Sequence, residues 1–174
     1  ELSLVRRNGE QLLVTLGIPL LLLGFFGSVD ILPTDTDEPI DFLVPGILAL
    51  AVMSTAMVSL GIATGFERSY GVLRRLGTTP LGTGRLVAAK VSAVLVIELV
   101  QFAILIGVGL RLDWRPTATS LPTILASLVI GSAAFAGIGL TLAGRLRAEV
   151  NLAAQNGLYL LLLLLGGILL PNEE

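Results

Sequence analysis

The sequence has no cysteine and no histidine. Disulfides, Cys/His zinc sites, Cys–His nucleophile pairs and any Ser-His-Asp triad are therefore excluded from its 174 residues. No G-x-x-x-x-G-K-[ST] run occurs, so the chain does not itself hold ATP on a phosphate loop. Gly82 and Gly84 are too few for a dinucleotide loop and lack a strand-then-helix setting. Charge is scarce as well. Only 14% of residues are charged, against 54% hydrophobic, where a soluble domain carries about 25% charged residues. With a mean hydropathy of +0.91, this composition does not fit inside one small soluble core. It predicts an all-α integral membrane protein, a polytopic helical bundle.

Five apolar stretches are long enough to be spans, at about 12–29, 42–65, 86–110, 121–143 and 150–170. The first has a basic front and an apolar middle, as a signal peptide would. Four further spans and the lack of a small-residue cleavage pattern before Asp30 argue against that reading. Residues 1–11, with Arg6 and Arg7 beside Leu2, Leu4 and Val5, read as the tail of an interfacial helix. The chain opens without methionine and stops just after an apolar run, which reads as part of a longer polypeptide. A single domain over 1–174 is expected, with no linker, low-complexity tract or inverted repeat.

The net charge of −2 says little; its distribution says more. The N-terminus, the second loop and the fourth loop hold nine of the eleven Lys and Arg residues. The first loop has none of them but carries Asp30, Asp35, Asp37, Glu38 and Asp41. The positive-inside rule then places the N-terminus and the second loop in the cytoplasm of a multi-pass protein of the cell membrane.

The second loop holds the densest basic stretch, FERSYGVLRRLGTTPLGTGRLVAAK at 66–90, with Arg68, Arg74, Arg75, Arg85 and Lys90. On a helical wheel, Phe66, Tyr70, Val72, Leu73 and Leu76 take one arc. Glu67, Arg68, Arg74 and Arg75 take the other, with Gly71 in the middle of the charged side. The expectation is one amphipathic helix over about 66–77, ended by a C′ glycine at Gly77 and followed by Pro80. It would lie at the membrane surface, with Gly71 as a bare backbone patch, and dock a cytoplasmic partner.

Within the spans, Glu98 lies near the middle of the third, where a carboxylate costs about 2.5–3.5 kcal/mol on insertion scales and must face protein or water. Gln101 is one turn away on the same face, and Lys90 two turns towards the cytoplasm, as a snorkelling residue. Glu98 is either a substrate-contacting or proton-relaying group, or a protonated or paired carboxylate tying its helix to a neighbour. The structural role is favoured because nothing else ionisable lies at that depth. Ser54, Thr55, Ser59 and Thr64, with Met53 and Met57, either line a polar, adaptable pathway or bond their own backbone one turn back. The fourth span offers Ala133-x-x-x-Gly137 and Ser132-x-x-x-Ala136 for close helix packing. The fifth begins with a polar strip of Asn151, Gln155, Asn156 and Tyr159 that suits an amphiphile's entrance.

Two places in this pattern resemble the type-2 permeases of ABC exporters, which handle drugs, lipids and polysaccharides. Glu67, Gly71, Leu73, Leu76, Thr79-Pro80 and Lys90 are similar to that family's E-x-x-x-G-x-L-x-x-L-x-x-T-P run leading to a lysine. Gly166-Gly167, Pro171 and Glu173 are similar to its run after span five. The resemblance implies six spans, the last beyond Glu174, an N-terminal interfacial helix and a coupling helix at about 66–77 seated in a groove of an ATPase. It implies two permease subunits, alike or different, in the lipid bilayer above two ATP-binding cassette subunits. Those partners would hold the ATP and magnesium, leaving this chain without cofactor, metal or catalytic residue and without nucleic acid as a partner. The turn at Arg145–Glu149 would be a lesser contact. Arg74 stands where many members have a glutamate, a departure at the docking contact.

The leading expectation is an export permease moving an amphiphilic drug, lipid or glycolipid by alternating access, driven by that separate ATPase. A proton-coupled secondary transporter using Glu98 is the alternative, with a membrane scaffold or anionic-lipid sensor third.

Overall fold

A computed structural model describes residues 9–28, 39–77, 82–116 and 120–166, and every regular element among them is helical. Helix α1 is Gly9–Ser28, α2 is Pro39–Val52, a π-helical segment covers Met53–Ser59, and α3 is Leu60–Ser69. They are followed by α4 (Val72–Gly77), α5 (Gly82–Arg111), α6 (Ser120–Arg145) and α7 (Ala148–Leu165). With no water in a bilayer core, each spanning segment must satisfy its backbone internally, and helices do so.

Four helical stretches among the described residues are long and apolar enough to cross a membrane: Ile40–Ser69, Gly84–Arg111, Pro122–Arg145 and Ala148–Leu165. A shorter apolar helix, Leu16–Phe25, lies within α1. The first of the four is one continuous rod made of α2, the π segment and α3, and it is the axis of the bundle. Two-thirds of its apolar window is buried, against 28%, 22% and 17% for the others. Leu43, Val44, Ile47, Leu48, Ala51, Ala56 and Met57 along it are buried, so the remaining helices pack around this rod. The outward faces of α5, α6 and α7 carry exposed aliphatic residues such as Val100, Ile130 and Leu164. In a membrane-spanning bundle such faces are open to lipid or to another membrane helix.

Close approach of the rod to α6 and α7 depends on three glycines. A Cβ on Gly139 of α6 would lie 2.6 Å from the Met57 carbonyl oxygen in the π segment. A Cβ on Gly65 would lie 2.5 Å from Asn151 Nδ2, and one on Gly61 would run into Gln155 Nε2. Gly61-x-x-x-Gly65 is the small-residue spacing of close-packed membrane helices. On α6 the packing stripe is Ser132, Ala136, Gly139 and Ala143, all buried. The expected Ser132–Ala136 pair is part of it; Ala133 and Gly137 are exposed, so that half of the expected packing face is corrected.

Helix α5 ends in a Schellman-type cap. Asp113 takes φ 65 and the Trp114 N–H donates to the Gly109 carbonyl at 3.0 Å. Trp114 folds back until it is buried beside Gly109 and Val44. Asp113→Gly should be neutral or stabilising by up to about 1 kcal/mol, because glycine adopts this conformation without strain. Thermal unfolding in detergent reads that change.

Candidate functional site

The expected single helix over 66–77 is two helices. The rod continues through Glu67 and Arg68 to Ser69, the chain turns at Tyr70 and Gly71, and α4 begins at Val72. Gly71 has φ +73, the left-handed conformation that ends a helix, and the Tyr70 N–H still donates to the Phe66 carbonyl at 2.9 Å. A Cβ on Gly71 would meet nothing within 4 Å. The glycine is therefore required for its backbone angle, and its surface is open to whatever lies outside the chain. Gly71→Ala should cost about 1–2 kcal/mol from the angle alone. Gly71→Asn should cost less, since asparagine visits this region more readily. Thermal midpoints of the two variants test the distinction.

This break divides the predicted docking residues. Arg74 and Arg75 lie exposed on α4, whereas Glu67 and Arg68 end the membrane rod. Tyr70 stands 73% exposed at the turn, its ring stacked on Phe66 at 6.0 Å.

Glu67 and Arg68 make the ties that hold this end of the bundle together. Glu67 Oε2 and Lys90 Nζ are 2.6 Å apart, with Lys90 only 3% exposed and Glu67 28%. Lys90 is thus a buried ion-pair partner and not a snorkelling residue: the carboxylate at the end of the rod is closer than any interface. The Arg68 guanidinium donates to two carbonyls, through Nη1 to Gly144 and through Nη2 to Leu146 at 2.7 Å. The last carbonyls of an α-helix lack intrahelical donors and sit at its negative end, so an arginine there satisfies both needs. The rod, the start of α5 and the α6–α7 turn are joined immediately above α4. Arg85, Arg145 and Arg147 are exposed at this same end.

The polar residues inside the bundle pair across helices. Ser132 Oγ of α6 donates to Glu98 Oε2 of α5. Thr55 Oγ1 in the π segment donates to Gln101 Oε1 at 3.2 Å. Glu98 and Gln101 are both fully buried, and Glu98 Oε1 accepts no hydrogen bond. Ser54 Oγ instead donates to the Ala51 carbonyl of its own helix at 3.0 Å. The strip on α7 divides. Asn151 Nδ2 donates to the Gly61 carbonyl at 2.9 Å and Gln155 Nε2 to the Gly139 carbonyl at 3.0 Å, both side chains fully buried. Asn156 points outward and donates to the Leu152 carbonyl of its own helix at 2.9 Å, while Tyr159 is half-buried. Asn151 and Gln155 thus bond the glycine carbonyls that close packing brings within reach. Ser132→Ala should cost roughly 0.6–1.7 kcal/mol, the range of interhelical hydrogen bonds in membranes. Glu98→Gln, which keeps an acceptor for Ser132, should cost less. Detergent or denaturant titration of the two variants reads the difference.

A 540 Å³ cavity lies between the rod, α5, α6 and α7. Leu48, Val52, Met53, Phe102 and Leu128 form its deep wall. None of Ser54, Thr55, Glu98, Gln101, Asn151, Gln155, Asn156 or Tyr159 lines it. Thr55, Glu98, Gln101, Asn151 and Gln155 tie helices to one another, Ser54 and Asn156 bond their own helices, and the lining of this cavity is mostly apolar.

The π segment, the Glu67–Lys90 pair and the Arg68 clamp had no reading in sequence. Gly61-x-x-x-Gly65 was the available signal for the first close contact. Glu67 and Lys90 are 23 positions apart and Arg68 reaches main-chain atoms 76 and 78 positions away, which no local pattern encodes.

Gly166 ends α7, but 167–174, with the rest of the second resemblance, lie outside the described residues, as do Thr79-Pro80 and residues 1–8 of the expected interfacial helix.

An all-helical bundle with membrane-crossing helices, tied at one end above a short basic helix, is the class of molecule defined here. The family description "ABC-2 type transporter" matches residues 1–174 in full, and the chain belongs to that family. It is 25% identical over 136 residues to a curated Escherichia coli K12 protein described as a probable multidrug ABC transporter permease, YbhR. The same protein from Escherichia coli O157:H7 matches equally. The alignment covers 76% of this chain and 36% of each relative, so the chain spans little more than a third of their length. No solved structure matches it significantly.

Proposed function

We propose that this chain is the transmembrane part of an ATP-driven exporter that carries an amphiphile across the cytoplasmic membrane by alternating access. A separate ATP-binding cassette subunit supplies the energy and holds the ATP and magnesium. A second permease, alike or different, completes the pathway. The N-terminus and α4 face the cytoplasm, since the basic residues collect at that end.

One observation carries this reading: α4 follows directly on a joint made by Glu67–Lys90 and Arg68. A push on α4 therefore reaches the rod, α5 and the α6–α7 turn together. A rigid element at an interface moves what it is fastened to, and here three spans are fastened within a few residues. Arg74 and Arg75 supply positive charge for an acidic surface on the ATPase.

Arg74→Glu combined with Arg75→Glu should abolish co-purification of the partner ATPase, with the variant still folded and membrane-inserted. Unchanged co-purification and normal export would remove the docking claim. A proton-driven carrier using Glu98 has less support, because Glu98 is bonded to Ser132 and lies outside the cavity wall.

A further inference from the structure

The 540 Å³ cavity falls within the roughly 300–1,000 Å³ range of small-molecule sites. No ionisable side chain lines it, and the side-chain polar groups on its wall are the hydroxyls of Thr123 and Ser127. Those residues are four apart on α6 and exposed, so they stand together on the rim. Pro45, exposed on α2, also lines it and has no N–H to offer a ligand. The deep wall is aliphatic and aromatic. Next to the lining residues on α6, Leu125, Val129 and Ile130 are 52%, 54% and 70% exposed. Such an apolar flank suits hydrocarbon, so it offers a ligand a lateral route from the bilayer.

We infer that this cavity is a binding site for one long hydrocarbon chain of an amphiphile, entered laterally from the bilayer, with an uncharged hydrogen-bonding head left at the Thr123 and Ser127 rim. A charged group does not suit the wall, which offers it neither partner nor water. A hydrocarbon chain suits it, since most of the surface that a methylene meets there is aliphatic or aromatic. The cavity also borders the π segment through Met53, so its occupant touches the rod whose far end carries Glu67 and Arg68. From the proposed function this takes only that the cargo is an amphiphile. Hydrocarbon binding itself needs no ATPase.

The test is a chain-length series of n-alkyl maltosides of about 8 to 16 carbons, titrated into the purified full-length protein held in amphipol. Affinity should rise about fourfold per methylene, the equivalent of about 0.8 kcal/mol, and then stop rising once the chain fills the cavity. Ala49→Phe and Ser127→Phe place a ring on exposed rim positions and should move that plateau to shorter chains without lowering the thermal midpoint. Ile130→Phe, on the exposed apolar flank outside the cavity, should leave it unchanged. Two sources of the chain are separable. A phospholipid retained by the wild type and lost from Ser127→Phe in native mass spectrometry identifies a bilayer lipid. A chain-length cut-off in ATP-driven export that shifts with Ser127→Phe identifies cargo. Either supports the site. A rise with no plateau, the same in wild type and both rim variants, is partition into the apolar surface and overturns it. If that happens while ATP-driven export is intact, the cavity proposal falls and the proposed function stands.

Discussion

Gly139→Ala should destabilise the bundle by about 3 kcal/mol, the upper part of the range for overpacking a core. It should lower the thermal midpoint by roughly 6–12 °C. The added Cβ would stand 2.6 Å from the Met57 carbonyl oxygen and 3.2 Å from Met57 Cα, which are main-chain atoms. No rotamer change relieves such a contact. Either the rod must move away from α6 or the π segment must rewind. Gly137, two residues away on nearly the opposite face of α6, has nothing within 4 Å of its Cβ position, so Gly137→Ala should be silent. Gly61→Ala should lie between them, because the atom in its way is the end of the Gln155 side chain, which can swing aside. That ordering would place the rod–α6 contact at the main chain of the π segment.

Glu67→Ala should be comparably severe in stability and more severe in function. It leaves the Lys90 ammonium, 3% exposed, without the carboxylate at 2.6 Å. Breaking a buried pair by removing one partner costs about 3–5 kcal/mol, and the 28% exposure of Glu67 argues for the lower end. Lys90→Met should cost less, since it takes away the buried charge and leaves the more exposed one near water. The double variant Glu67→Ala/Lys90→Met should recover much of the stability, because an apolar pair suits the site nearly as well as an ionic one. Coupling should not recover, because the tie between the rod and α5 is gone. Refolded stability with lost ATP-driven export would separate a transmitting role from a merely structural one. Full recovery of both would show that the pair serves the fold alone.

Much of the architecture is legible in the sequence because hydropathy is a one-dimensional property. The apolar runs around Phe42, Leu86, Leu121 and Val150 lead to helices because lipid leaves the backbone few alternatives. Glu98 was legible as a residue that must face protein, and Ser132 is the partner that it found. Gly71 was visible as a gap in the charged face, but the helix end set by its φ of +73 was not, because a wheel assumes one continuous helix. The clamp by Arg68 was not legible at all, since its partners are carbonyls, which carry no residue identity. Asn151 and Asn156 have the same side chain five positions apart. One caps a carbonyl of the rod and the other bonds its own helix. Only the packing of α7 against Gly61 and Gly65 decides between them.

The account rests on energy entering through α4 and crossing the Glu67–Lys90–Arg68 joint. The most direct measurement is amphiphile transport in proteoliposomes holding the full-length permease and its ATPase, with a protonophore present throughout. The account predicts transport that requires ATP, ignores the protonophore, persists in Glu98→Gln and is lost in Arg74→Glu/Arg75→Glu. Transport that proceeds without ATP, collapses with the protonophore and disappears in Glu98→Gln would contradict it.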